Sequence, residues 1–154
     1  MKKIYLSVVC LLISIPLIAQ LYVEPEKEVE CSVFLAKEGR GRAQQGLEIW
    51  DDYIFSCEDG GHVNIYDFKS ADPKPVAGFE LASSHPDNHV NNVCFGVETK
   101  RGASFPLLYI TNGKVGSELE WLCFVESITR RGKRFSSEIV QTIELDGSKW
   151  AEKG

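Results

Sequence analysis

The chain has 154 residues, 44% of them apolar and 25% charged, with a formal net charge of −5. Those proportions fit a globular protein and exclude a disordered or collagen-like chain. The acidic balance opposes nucleic acid and anionic lipid surfaces except where a local patch prevails.

Residues 1–20 read as a signal peptide. Lys2 and Lys3 form a short basic region, Ile4 to Ile15 is an almost unbroken apolar run, and Ala19-Gln20 offers a cleavage point. The run is shorter than the roughly 20 apolar residues of a spanning helix. The expectation is an exported protein, periplasmic, cell-surface or secreted, without stable membrane insertion after cleavage. Cys10 follows Val9, where a lipoprotein signal wants a small residue. Residues 21–29 are charged, contain Pro25 and read as a linker.

From residue 30 to 146 the pattern is all-β. Glu30 to Ala36 alternates and predicts a single strand. Four strands are then expected at Gln45–Trp50, Tyr53–Cys57, His62–Phe68 and Val76–Leu81. Glu58-Asp59-Gly60-Gly61 is the strongest turn signal, because Asp-Gly-Gly supplies the positive φ that tight hairpins demand. Val63 and Ile65 share one face of the third strand, and Asn64 and Tyr66 the other. Ala82 to Asn88 is a polar crossover. Four more strands follow at His89–Val97, Pro106–Asn112, Glu118–Ile128 and Ser136–Leu145, with a hairpin over Ser127–Arg134. Residues 147–154 are a polar tail.

The two sets of strands look alike. Gln45-Gly46-Leu47-Glu48-Ile49 is answered about 46 residues later by Asn91-Asn92-Val93-Cys94-Phe95, inside the blade period of about 40–50 residues. Each set reads as one antiparallel, four-stranded blade of a β-propeller. A propeller needs about four to eight blades, so the expected architecture is incomplete: about two blades plus one N-terminal strand.

Cys57, Cys94 and Cys123 lie in strand-like apolar runs and are expected as buried free thiols. One disulfide between strands of adjacent blades is the alternative, and the wide spacings, with no C-x-x-C, disfavour zinc. The basic run Arg130-Arg131-Gly132-Lys133-Arg134 reads first as a solvated hairpin tip and second as a polyanion site. The acidic pairs Asp51-Asp52 and Glu58-Asp59 fall at turns, where solvated carboxylates are expected. No G-x-S-x-G, H-E-x-x-H or Walker pattern is present. Ser83, Ser84, His85 and Asp87 are a loop composition and not a triad.

The phrases Gln45–Phe55 and Asn88–Gly96, with the leader ending Ala19-Gln20, resemble secreted β-propeller proteins of Bacteroides-type bacteria. The resemblance covers most of the chain after the leader. It implies an N-terminal part of a longer propeller: a sequencing fragment, a frameshifted gene product or a chain completed by oligomerisation, in that order. Exposed blade faces would then favour self-association and poor solubility.

Ligands of propellers gather where the innermost strands and their preceding loops converge. That rule selects Gln44, Gln45, His85, Asp87, His89, Asn91 and Asn92, with Asn88 among them. Their amide and imidazole groups suit sugar hydroxyls or a hard cation such as calcium. The competing role is structural, since Asn and His before a strand commonly tie down loop backbone. The expected function is an exported propeller-like binding module, or a fragment of one, for a glycan, peptide or partner protein. The alternative is a remnant of a metal-dependent propeller hydrolase or lactonase. Catalysis is less expected than binding, and nucleic acid is not an expected partner.

Overall fold

Eight segments combine β-branched or aromatic residues with turn residues at their ends, and in the computed structural model all eight are strands. The structure describes residues 42–72 and 74–146, all within the compact unit Val33–Gly154. The leader, the linker, the single strand at 30–36 and the polar tail lie outside the described residues. The first sheet runs β1 (Gln44–Trp50), β2 (Tyr53–Glu58), β3 (His62–Asp67) and β4 (Ala77–Glu80). The second runs β5 (Asn92–Phe95), β6 (Leu108–Thr111), β7 (Leu122–Arg131) and β8 (Arg134–Glu144). In each sheet the spatial order equals the chain order and every pair is antiparallel. Among the described residues there is no helix.

The turn chemistry accounts for the first sheet. Asp51 closes the β1–β2 turn at φ 53°, a conformation that aspartate tolerates better than most residues. Gly60 and Gly61 take φ of 90° and 96° between β2 and β3, as Asp-Gly-Gly predicts.

Several strand limits differ from the sequence pattern. The strand expected from His89 begins only at Asn92, because 89–91 bends and Val90 adopts φ 42°. The seventh strand starts at Leu122, since 118–121 forms turns, and it runs on to Arg131. The hairpin after it is therefore only Gly132-Lys133. Gly132 has φ 63° at the first central position, which suits a type II′ turn.

The sheets pack face to face, with β1 against β5 and β4 against β8. Phe55, Cys57, Val63, Ile65 and Phe79 of the first sheet meet Val93, Leu108, Ile110, Phe124, Ile128 and Phe135 of the second. Phe105, from the β5–β6 loop, enters between them. The Phe55 ring stands edge-on to Phe95 at 5.0 Å and to Phe105 at 5.1 Å. Phe105 in turn stacks on Phe135 at 5.9 Å. Such pairs contribute about 0.5–1.5 kcal/mol each beyond area burial. Gly46 lets β1 approach closely: a Cβ there would lie 2.9 Å from a methyl of Val93 and 3.1 Å from the Val90 carbonyl.

Alternation places Ile54, Ser56, Glu58, Asn64 and Tyr66 on the opposite face of the first sheet, and they too are buried. Glu58, expected as a solvated turn carboxylate, is fully enclosed, with Oε1 accepting from Asn64 Nδ2 at 2.8 Å. Cys57 and Cys123 are buried free thiols, whereas Cys94 is exposed because it projects from the outer side of the edge strand β5. The disulfide alternative fails among these three. Cys57 faces the inter-sheet core, and Cys94 and Cys123 stand on β5 and β7 with β6 between them.

Candidate functional site

The crossover from β4 to β5 meets the β2–β3 turn and the end of β6 at one end of both sheets. Its backbone is fastened first to the β2–β3 turn. Gly60 N–H donates to the Asn88 carbonyl at 2.7 Å, and His85 N–H donates to the Gly60 carbonyl at 3.2 Å. Ser84 Oγ donates to the same carbonyl at 2.8 Å. Gly61 is required here, since a Cβ would stand 2.8 Å from Ser84 Cα and its φ is positive.

A second fastening comes from the far sheet. Glu126 of β7 is fully buried on the core side, and its two oxygens accept from Ala82 N–H at 3.0 Å and Ser83 N–H at 2.8 Å. Ser137 Oγ of β8 accepts from Ala82 N–H at 2.8 Å. A carboxylate bonded to two backbone N–H groups is a strong, charge-assisted clamp.

Asn88 ties the interior of the crossover. Its Nδ2 donates to the Ser83 carbonyl at 2.9 Å and to Ser83 Oγ at 3.1 Å, while its Oδ1 accepts from Val90 N–H at 3.2 Å. Asn112 does the same from the end of β6. It accepts from His89 N–H at 2.9 Å and donates to the Asp87 carbonyl at 3.1 Å.

Of the sequence-selected residues, His85, Asp87, His89 and Asn91 come together around this end. His85 Nδ1 accepts from Asp87 N–H at 3.1 Å. The Asp87 carboxylate pairs with the Lys114 ammonium. That hydrogen bond, with the ammonium charge, lowers the Asp87 carboxyl below its ordinary value. His89 Nε2 stands 3.7 Å from Asp59 Oδ1, within ion-pair reach but outside hydrogen-bond distance. Asn91 N–H donates to the Thr111 carbonyl at 3.1 Å, and its Oδ1 is buried without a partner. Asp59 Oδ1 is likewise buried without a hydrogen bond. Gln44 is exposed opposite Glu58, Gln45 sits at a β-bulge, and Asn92 is exposed opposite Thr111. These three flank the crossover without joining its hydrogen bonds.

Asp59, Asn112, Lys114, Ser83 and Glu126 also build the site, and sequence reasoning did not select them. Asn112 before Gly113 is a local turn signal that could have been used. Glu126 lies 43 and 44 residues from its partners and carries no local signal.

Val90 lies at the centre of these residues. It is β-branched, fully buried and left-handed at φ 42°. Such a backbone costs on the order of 1–3 kcal/mol and persists where surrounding contacts over-determine it.

No protein-family model matches the chain, and no curated protein matches it. Among solved structures it is similar to KlHsv2 with loop 6CD replaced by a Gly-Ser linker, at 11% sequence identity and a TM-score of 0.43. That match spans 67% of this chain and 31% of the other.

Proposed function

We propose that the two sheets are neighbouring blades of a β-propeller and that the chain acts as an exported binding module. Support for the blades comes from equivalence: both sheets are four-stranded meanders, and strands of the same rank lie against each other, β1 on β5 and β4 on β8. The ligand is a glycan, taken up at the end of the sheets around the 81–91 crossover.

One observation carries the binding reading. The His89 and Asp59 side chains stand 3.7 Å apart and are 35% and 36% exposed, so an imidazole and a carboxylate face solvent together beside the crossover. A ligand hydroxyl can donate to the carboxylate and accept from the imidazole, and a hydrogen bond to a charged group contributes about 1.5–3 kcal/mol. The strained Val90 between His89 and Asn91 supports the same place.

The test is a titration of the purified chain against neutral oligosaccharides, followed by calorimetry. Asp59→Ala and His89→Ala should each weaken binding by about tenfold, the loss of one or two hydrogen bonds. Binding that both variants leave unchanged would move the site elsewhere. An absence of binding at millimolar saccharide would end the glycan reading.

A further inference from the structure

The tip of the β7–β8 hairpin concentrates positive charge in an acidic protein. Arg130, Arg131, Lys133 and Arg134 fall within five positions of a chain whose net charge is −5. Strand register divides them into two sets. Arg130 pairs with Phe135 on the side that faces the first sheet. Its guanidinium lies 4.9 Å from the Tyr53 ring centroid and 5.8 Å from that of Phe135, and its Nε donates to the Gly132 carbonyl at 2.8 Å. Arg130 is thereby committed to holding the hairpin. Its backbone N–H also donates to Ser104 Oγ at 2.9 Å, which pins the base of the tip to the β5–β6 loop.

The opposite side is different. Arg131 stands directly across from Arg134, and Thr129 directly across from Ser136, so four side chains project from one face of the ribbon. With Lys133 and the edge of Phe135 they line an open cavity of about 730 Å3. Like charges placed directly opposite are destabilising in a sheet. Among the described residues no carboxylate pairs with Arg131, Lys133 or Arg134. Glu138, two residues beyond Ser136, is held by Lys100 at 2.7 Å. Among the described residues, therefore, three cations stand around one cavity without a carboxylate partner, at a cost to the hairpin's own stability.

We propose that this outer face of the β7–β8 tip binds a phosphate- or sulfate-ester group carried by a saccharide. Two guanidinium forks two-abreast match the paired oxygens of a tetrahedral oxyanion, and the lysine adds a point charge. The Thr129 and Ser136 hydroxyls both donate and accept, which suits the ring hydroxyls next to such a group. The overall negative charge opposes a long polyanion such as a nucleic acid while leaving a short, locally recognised anion unaffected. This site is separate from the crossover end, and neither depends on the other.

Sucrose octasulfate serves as the probe, with the full chain titrated at low salt and sucrose as the uncharged comparison. Octasulfate should bind, sucrose should not, and affinity should fall as salt is added. The double variant R131Q/R134Q should lose about tenfold or more in affinity, and K133Q about threefold. Arg101→Gln, an exposed cation in the β5–β6 loop, should bind as the parent does. Thermal unfolding of R131Q/R134Q should match or exceed the parent, since a repulsion is removed. Equal octasulfate affinity in the parent and the double variant would overturn the proposal. So would a short DNA duplex that binds as tightly as octasulfate at equal charge concentration, because the patch would then be an undiscriminating polyanion surface.

Discussion

Val90 sets two effects against each other. Its buried side chain stabilises by about 1.5–3 kcal/mol, while its left-handed backbone costs about 1–3 kcal/mol. Glycine removes both terms, and alanine removes most of the burial while keeping most of the strain. Val90→Gly should therefore be less destabilising than Val90→Ala by about 1 kcal/mol, the reverse of the order at an ordinary strand position. Urea unfolding of the two variants decides it. The cysteines differ just as sharply. Burial, reinforced by the Glu126 and Glu48 charges, pushes the Cys57 thiol up to about 12. Its folded value lies above the unfolded value, so its contribution is fully present below pH 9 and is lost as pH rises toward 12, at about 1.4 kcal/mol per pH unit. Native chain at pH 8 should alkylate at exposed Cys94 and leave Cys57 untouched, as peptide mass mapping would reveal; modified Cys57 in folded protein would contradict its burial.

At the scale of elements, local signals located all eight strands but not all of their ends. Asp59-Gly60-Gly61 marked its hairpin because the required φ values belong to the residues themselves. His89-Val90-Asn91 looked like strand because Val90 is β-branched, and only the contacts of Asn88 and Asn112 force the bend. Arg130, Arg131 and Arg134 looked like loop because they are charged, yet ladder hydrogen bonds need no apolar side chain. Glu58 and Glu126 were opaque for one shared reason: the enclosure of each is made by residues that no local pattern identifies. His85, Asp87, His89 and Asn91 were legible as a group, since polar residues at a crossover must satisfy its backbone whatever else they do. The Glu126 clamp yields a graded prediction. Glu126→Ala leaves Ser83 N–H without its acceptor and Ala82 N–H with Ser137 Oγ alone, and should cost about 1–3 kcal/mol in chemical unfolding. Glu126→Gln keeps one acceptor oxygen and should cost roughly half as much. Equal losses would mean that the carboxylate acts by filling space.

For the whole unit, the two sheets share one aromatic interior, with Phe55, Phe105 and Phe135 in mutual contact. They should unfold as one transition by any probe. The edge strand β1 also turns apolar side chains outward, with Leu47 57% and Ile49 46% exposed on the same strand face. A strand with such a face is a site for association. Sedimentation velocity should show a weight-average mass that rises with concentration, and Leu47→Lys with Ile49→Lys should suppress the rise. A concentration-independent monomer would contradict the self-association expected from the sequence.

The clamp from Glu126 and Ser137 also imposes an order in time. The three hairpins of the first sheet close over short stretches of chain, so they can form early. The crossover that follows them can bond early to the β2–β3 turn, but its second fastening comes from residues 43 to 55 positions further on. That second fastening at Ala82 and Ser83 cannot close until β7 and β8 are in place, and during synthesis it must wait for them to leave the ribosome. The start of the crossover, at Ala82 and Ser83, is then the last part of it to acquire its shape. Weakening Glu126 should accordingly hasten unfolding while leaving the refolding rate nearly untouched.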